Sequence, residues 1–298
     1  MTRSLKTLLA GGAFFEGPRW RDGRWWVSDM FGHRVLTVDP TGRTEDVMAV
    51  EAQPSGLGWM PDGSLLVVSM KDQQVLRRST TGEVTVHANI SALCRGWAND
   101  MVVDLTGRAY VGSFGFDLLA SADPSPADLV MIDPDGAVKV VADGLLFPNG
   151  SVLTPDGGTL IVGETFGARY TSFSIAGDGS LTGRRTWAQL GPTPHGTLAE
   201  FASQLKLAPD GCTLDQEGCI WFASTGPVCC RVAEGGEIVD EIRMPEGLRA
   251  YACMLGGDDG RTLLVSAVPS FARASRDPAA HEAVLLTATV DVPHAGLP

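Results

Sequence analysis

The stretch FPNGSVLTPDGGTLIVGET, residues 147–165, holds a short apolar segment, a turn around Gly157 and a second, strongly apolar segment. This pattern is typical of two β-strands joined by a tight hairpin turn. It occurs six times along the chain: EGPRWRDGRWWVSD from Glu16, SGLGWMPDGSLLVVSM from Ser55, NDMVVDLTGRAYVGSF from Asn99, NGSVLTPDGGTLIVGET from Asn149, DGCTLDQEGCIWFAST from Asp210 and ACMLGGDDGRTLLVSAV from Ala252. In five copies the turn glycine lies eight residues after the first residue, and in the first copy it lies seven residues after. The repeat indicates that one supersecondary unit is used six times.

Each unit continues beyond its hairpin. Two further alternating segments follow most copies, such as RVLTVDP and TEDVMAV after the first and LVMIDPD and VKVVADG after the third. The pattern therefore predicts four strands per unit, and no segment shows a sustained helical period. Six four-stranded sheets arranged radially form a six-bladed β-propeller. We predict an all-β fold in which residues 1–298 form a single propeller domain, closed by pairing of AVLLTATVDVP with LKTLLAG.

The composition argues against nucleic acids and membranes as binding partners. Hydrophobic residues make up 44% of the 298 residues and charged residues 19%, which is enough apolar material for a large core. The net charge of -12 argues against binding to a nucleic-acid backbone, which needs clustered Lys and Arg. No apolar run reaches the length of about 18 residues that a membrane span needs. We expect a cytoplasmic monomer or small homo-oligomer that acts on a small molecule, without nucleic-acid or membrane partners.

The six cysteines do not form a recognisable metal or disulfide framework. They are Cys94, Cys212, Cys219, Cys229, Cys230 and Cys253, and no two of them are spaced as C-x-x-C. We therefore expect reduced, mostly buried thiols.

The first residues of the six copies share one location in the predicted propeller. The loop that enters each innermost strand lies at one mouth of the central channel, so these residues form a ring there. Four of the six carry hard oxygen donors, namely Glu16, Asn99, Asn149 and Asp210. Such oxygens suit Ca²⁺, Mg²⁺ or Mn²⁺. The alternative is that Asn and Asp occur here because they are common in turns.

The ordered motifs resemble those of the SMP-30/gluconolactonase/luciferin-regenerating-enzyme family of six-bladed propeller hydrolases. The matching motifs are EGPRW at 16–20, NDMVVD at 99–104, FPNG at 147–150 and APDGCTLDQEG at 208–218. The resemblance implies that Glu16, Asn149 and Asp210 hold one divalent metal, commonly Ca²⁺ or Zn²⁺. It also implies that Asn99 contacts the substrate or a metal-bound water, and that Asp100 serves substrate binding or proton handling.

One position departs from the family pattern. Sugar-lactonase members tend to carry Arg two residues before the Asn, and this chain has Trp97 there. Trp offers an apolar face where Arg would hydrogen-bond substrate hydroxyls. The departure favours a more apolar or aromatic lactone or ester over a sugar lactone. The alternative is that Trp97 only packs beneath a loop.

The loops after the second strands are expected to wall the site. They supply Phe114, Phe116 and Phe166, and an aromatic wall with a few polar groups is typical of small-molecule pockets. The segment GPTPHGTLAEFASQLK, residues 191–206, is longer than a tight connection needs and is predicted to be a lid that carries His195, Glu200 and Phe201. The alternative for His195 is a solvated loop residue.

These observations predict a divalent-metal-dependent hydrolase of a lactone or a related cyclic or aryl ester. The metal, expected to be Ca²⁺ with Zn²⁺ or Mn²⁺ as alternatives, would polarise the carbonyl. Water would attack with Asp210 or Asp100 as base, while Asn99 would position the substrate oxygen. Asn99 is also a candidate fourth metal ligand. The alternatives are a phosphotriesterase-like hydrolase and a metal-stabilised binding propeller without turnover.

Overall fold

The computed structural model describes residues 3–296 and contains six four-stranded antiparallel sheets. The sheets are β2(Phe15–Arg21), β3(Arg24–Asp29), β4(Arg34–Val38) and β5(Thr44–Ala49); β6(Pro54–Trp59), β7(Leu65–Ser69), β8(Gln74–Arg78) and β9(Val84–Asn89); β10(Ala98–Val103), β11(Ala109–Ser113), β12(Ala127–Ile132) and β13(Val138–Leu145); β14(Pro148–Leu153), β15(Thr159–Glu164), β16(Arg169–Ile175) and β17(Leu181–Gln189); β18(Cys212–Leu214), β19(Ile220–Ala223), β20(Val228–Val232) and β21(Ile238–Arg243); and β22(Arg249–Gly256), β23(Thr262–Val268) and β24(Ala283–Thr289) with β1(Lys6–Gly12). The predicted six-bladed β-propeller with four-stranded blades is confirmed.

The sixth blade joins the two ends of the described chain. Its strand order is β1-β24-β23-β22, so the outermost strand comes from the N-terminal region and the other three from the C-terminal region. β1 and β24 are antiparallel, with Lys6 opposite Thr287 and Ala10 opposite Val284. The predicted closing pair is confirmed, and its hydrogen bonds hold the ring of blades together.

Aspartates that precede the turn glycines fix several hairpins. Asp39 Oδ1 accepts hydrogen bonds from the Thr41 and Arg43 backbone N–H groups at 2.8 and 3.0 Å. Asp104 Oδ1 makes the same two contacts in the sequence DLTGR, at 2.8 and 3.0 Å. These Asx turns explain why Asp recurs at a fixed distance before the glycine.

The core lies between neighbouring blades. Trp221 of the fifth blade packs in one cluster with Leu255 and Val265 of the sixth. Tyr170 of the fourth blade meets Phe222 of the fifth at 5.8 Å between ring centroids. All six cysteines are free and buried, as predicted.

Helical segments are short and lie in connections between strands. They are α1(Leu198–Gln204), α2(Phe271–Arg276) and the 3₁₀ turns Thr165–Gly167 and Pro278–Ala280. α1 precedes the fifth blade, and α2 lies between β23 and β24. None of the helices within residues 3–296 has the length and apolar character that crossing a membrane requires.

Candidate active site

The predicted oxygen donors meet at one cavity of about 500 Å³. Glu16, Asn99, Asn149 and Asp210 all line it, and their exposed fractions lie between 4% and 7%. They come from the first strands of blades one, three and four and from the loop that enters blade five. The structure thus brings together side chains that are up to 194 positions apart in the sequence.

Glycines beside the donors allow the innermost strands to approach closely. A Cβ added at Gly150 would lie 2.2 Å from the Asp210 backbone oxygen. One added at Gly17 would lie 2.5 Å from the Ser55 backbone oxygen, and Gly17 also has a positive φ of 53°. Backbone atoms cannot move aside as a flexible side chain can, so a larger residue would push neighbouring blades apart. Three of the four donors are therefore followed directly by a glycine that allows neighbouring strands to approach, in the pairs Glu16-Gly17, Asn149-Gly150 and Asp210-Gly211.

A hydrogen-bond relay orients Asn149. Its Nδ2 donates to Thr165 Oγ1 at 3.0 Å, and Thr165 Oγ1 donates to the Pro209 carbonyl at 2.8 Å. The amide nitrogen is therefore engaged within the protein, which leaves Oδ1 available to a ligand. This orienting contact of Thr165 was not predicted from the sequence.

In Asn99 it is the amide oxygen, and not the nitrogen, that is engaged within the protein. Its Oδ1 accepts a hydrogen bond from Ser55 Oγ at 3.2 Å, and the Ser55 backbone oxygen accepts one from Ser28 Oγ at 2.6 Å. The NH₂ group of Asn99 is the end that remains for a ligand in the cavity. Ser55 occupies the equivalent ring position of blade two, so its position in the repeat was the signal for this contact.

The two carboxyl groups of the ring are buried in surroundings that disfavour their negative charge. Burial, followed by the charges of Asp210 and Asp100, raises the pKa of Glu16 well above its ordinary value. Burial and then the Asp100 charge raise the pKa of Asp210 to about 8. Two carboxylates that are buried close together favour either a proton or a cation between them.

The donor chemistry fits a hard divalent cation. Within residues 3–296 no group of three or more His, Cys, Asp and Glu is placed to hold a metal, so a cation between Glu16 and Asp210 would need an amide oxygen as a further ligand. Two carboxylates and an amide with a free oxygen match the oxygen ligands of Ca²⁺ or Mg²⁺ better than the nitrogen and sulfur ligands typical of Zn²⁺.

Asp100 belongs to a buried ion pair and is not one of the described residues that line the cavity. Arg19 donates to Asp100 Oδ1 at 3.1 Å, and the Met101 N–H donates to the same oxygen at 2.8 Å. Arg19 also donates to the carbonyls of Met101 and Pro18 at 2.7 and 2.9 Å. Arg19 is almost fully buried, and its contacts were not predicted from the sequence although it stands inside the EGPRW motif.

Aromatic side chains wall the cavity in two groups. Phe114, Phe147 and Phe166 form one, with 4.5 Å between the first two ring centroids and 5.5 Å between the last two. Phe14, Tyr251 and Phe271 form the other, with both partners within 5.5 Å of Phe14. Phe114 and Phe166 were predicted as wall residues. The other four were not, because their strands and loops meet only in the folded ring.

Three residues predicted to bind substrate lie outside the set of described residues that line the cavity. Trp97 stacks on Phe114 at 6.0 Å, and the Lys71 ammonium lies 5.1 Å from the centre of the Trp97 ring. Phe116 stacks on Phe166 at 5.5 Å. His195 lies in the segment 191–206, where its backbone oxygen accepts a hydrogen bond from Gln204 Nε2. Direct contact of Trp97, Phe116 or His195 with substrate stays a prediction.

The segment 191–206 borders the cavity through α1. Thr197 and Glu200 form a capping box at its start, which stabilises this short helix. Phe201 is buried and lies 5.8 Å from Phe166 between ring centroids, so it joins α1 to the aromatic wall. Lys206, which follows α1, and Arg249, which begins β22, are exposed and line the rim.

Comparison with known proteins identifies similar chains. A family model described as "SMP-30/Gluconolactonase/LRE-like region" matches residues 14–268. A pentonolactonase of Haloferax volcanii is 28% identical over 214 residues, which span 70% of this chain and 65% of that enzyme. A gluconolactonase of Zymomonas mobilis is 24% identical over 265 residues, which span 85% of this chain and 72% of that enzyme.

Solved structures share the fold. A calcium-binding protein, regucalcin, from Agrobacterium tumefaciens superposes with a TM-score of 0.79 at 19% identity, covering 100% of this chain and 97% of that one. A gluconolactonase from Xanthomonas campestris gives a TM-score of 0.73 at 23% identity, covering 97% of this chain and 89% of that one. The resemblance inferred from the motifs is confirmed.

Proposed function

Because the chain belongs to the SMP-30/gluconolactonase/LRE-like family, we propose that it is a divalent-metal-dependent hydrolase of lactones. The observation that carries the proposal is the group of four buried oxygen donors, Glu16, Asn99, Asn149 and Asp210, which line one aromatic cavity. Two similar proteins are named as lactonases, which supports the reaction class.

Glu16, Asn149 and Asp210 are the residues that would hold the metal. Glu16 and Asp210 supply the negative charge, and the Thr165 contact leaves the Asn149 amide oxygen free. We propose Ca²⁺, because all of these donors are hard oxygens and a neighbour of the same fold is described as calcium-binding. Zn²⁺ and Mn²⁺ are the alternatives. The bound cation would act as a Lewis acid on the lactone carbonyl.

Asn99 is better suited to the substrate than to the cation. Its oxygen is engaged by Ser55, so its NH₂ group is left to donate a hydrogen bond to the carbonyl oxygen of the lactone. A donor placed there would stabilise the negative charge that develops on this oxygen during attack.

Asp210 is our choice for the base. It lines the cavity, whereas the Oδ1 atom of Asp100 already accepts from Arg19 and from the Met101 N–H. A carboxylate has two oxygens, so one oxygen of Asp210 can bind a cation while the other takes a proton from water. Water oxygen then bonds to the carbonyl carbon, the ring C–O bond breaks, and the proton passes to the leaving alkoxide, giving a hydroxy acid.

Site variants test the proposal. Glu16→Gln and Asp210→Asn preserve shape but remove the charge, and both should lose bound metal and lactone hydrolysis together. Asp72→Asn is the matched control, because Asp72 is an exposed carboxylate in a loop after a second strand and outside the cavity lining. Full activity in Glu16→Gln or Asp210→Asn would contradict the proposal. Hydrolysis of an aryl phosphotriester by the wild type, with no lactone hydrolysed, would replace it with the phosphotriesterase alternative.

A further inference from the structure

The charged residues that line the cavity are arranged at two levels. Two acids, Glu16 and Asp210, are buried among the oxygen donors, while two bases, Lys206 and Arg249, are exposed at the rim. From this arrangement we infer that the substrate is an aromatic lactone that carries a carboxylate, with Lys206 and Arg249 as the residues that bind the carboxylate. The inference rests on the proposed lactone hydrolysis and adds the substrate class.

The cavity walls between the buried acids and the rim cations suit a flat, apolar ring system of the substrate. Phe114, Phe147 and Phe166 lie on one side, and Phe14 and Phe271 lie on the other. Aromatic faces on both sides favour a ring that stacks or packs edge-on against them. An aromatic lactone whose carbonyl reaches the oxygen donors would fill this space with few exposed polar atoms.

Three hydroxyl groups of the lining, those of Thr165, Ser224 and Ser270, already make hydrogen bonds within the protein. Thr165 Oγ1 donates to the Pro209 carbonyl, and Ser224 Oγ donates to the Val228 carbonyl at 2.6 Å. Ser270 Oγ accepts from the Arg273 N–H at the start of α2. Buried hydroxyls without partners are unfavourable, so a lactone with many hydroxyl groups is poorly matched by these three engaged side chains. This argues against a polyhydroxylated sugar lactone.

The rim cations are free to bind an anion. Within residues 3–296 neither Lys206 nor Arg249 forms an ion pair, although the chain has a net charge of -12 and many of its other arginines are paired. Lys206 stands on the lid segment and Arg249 on the first strand of blade six, so they reach the cavity from separate elements. A guanidinium and an ammonium at one opening form a suitable site for a carboxylate.

Three substrates test the inference: dihydrocoumarin, a dihydrocoumarin with a carboxylate on its benzene ring, and gluconolactone. Hydrolysis is followed by proton release with the metal-loaded enzyme at low salt. We expect kcat/KM for the carboxylated compound to exceed that for the neutral one by about tenfold, mainly through KM. Gluconolactone should be the poorest of the three. Added salt should shrink the preference for the carboxylated compound, because the rim is exposed.

Variants distinguish the effect of the two rim cations from the effect of the net charge of the protein. Arg249→Gln and Lys206→Gln should each lower the ratio of kcat/KM between carboxylated and neutral dihydrocoumarin by about threefold or more. Arg95→Gln removes the same charge from an exposed residue in the loop that enters blade three, outside the cavity lining, and should leave the ratio unchanged.

The outcomes distinguish the two proposals. If none of the three lactones is hydrolysed, the proposed function fails and the inference with it. Hydrolysis of gluconolactone or neutral dihydrocoumarin at least as fast as that of the carboxylated compound would support the lactonase proposal. If, in addition, the rim variants do not change the ratio of kcat/KM between carboxylated and neutral dihydrocoumarin, the inference about the substrate class fails.

Discussion

The buried pair Arg19–Asp100 gives a sharp test of what Asp100 does. Both side chains are almost fully buried, and they lie 3.1 Å apart. Asp100→Asn would leave the Arg19 guanidinium buried without a counter-charge, which costs about 3–5 kcal/mol of unfolding free energy. Arg19→Met would leave the Asp100 carboxylate near Glu16 and Asp210, whose pKa values its charge already raises. We expect a loss of similar size.

The double variant Arg19→Met/Asp100→Asn should recover much of this loss. It removes both charges, and the new amide can still accept from the Met101 N–H that now donates to Asp100 at 2.8 Å. We expect a coupling free energy of at least about 2 kcal/mol between the two positions. The assay is equilibrium denaturant unfolding of the four proteins, with metal and with chelator.

Activity of the double variant decides between a structural and a catalytic role. If Asp100 serves only to pair with Arg19, removing both charges should leave the site intact. The folded and metal-loaded double variant should then keep kcat within about tenfold of the wild type. A fall of about a thousandfold with normal stability and metal content would instead identify Asp100 as the base. Additive losses, with coupling near zero, would refute the energetic reasoning about the ion pair.

Three further predictions concern backbone packing, protonation and the lid. Gly150→Ala should destabilise the protein by about 1–3 kcal/mol and weaken metal binding, because the new Cβ would lie 2.2 Å from the Asp210 backbone oxygen. Gly177→Ala, where no atom lies within 4 Å of the added Cβ, is the control, and equal unfolding midpoints would contradict the packing argument. Burial raises the pKa of Asp210 to about 8, above its unfolded value. The metal-free fold therefore binds this proton more tightly than the unfolded chain, and its stability should fall as the pH rises from about 4 to about 8. Calorimetry should detect proton release when Ca²⁺ binds below that pH, and affinity independent of pH would contradict this assignment. Thr197→Ala should raise KM about threefold by loosening α1, whereas Thr197→Ser keeps the capping hydroxyl and should not.

The repeat made the fold and the donor ring readable from the sequence. Because the copies begin at equivalent positions, the sequence alone predicts that Glu16, Asn99, Asn149 and Asp210 lie at one mouth of the channel. The repeat shows where the innermost strand of each blade begins. The start of that strand is enough to predict at which end of the channel these donors lie.

The partners of the donors could not be predicted in the same way. The Arg19–Asp100 pair joins positions 81 residues apart and depends on side-chain direction within the channel. The Asn149–Thr165 contact depends likewise on the path of the loop after β15. The sequence also left open whether Trp97 faces the substrate or packs beneath a loop, whereas the fold places Phe114 in the wall and packs Trp97 against it.

Metal dependence is the central claim, and reconstitution measures it most directly. Chelated wild-type protein would be assayed on lactones after separate addition of Ca²⁺, Mg²⁺, Mn²⁺ and Zn²⁺, with bound metal determined by mass spectrometry. We predict no turnover without metal, one bound ion per chain, and the best recovery with Ca²⁺. Full lactone hydrolysis by protein that holds no metal would contradict the account.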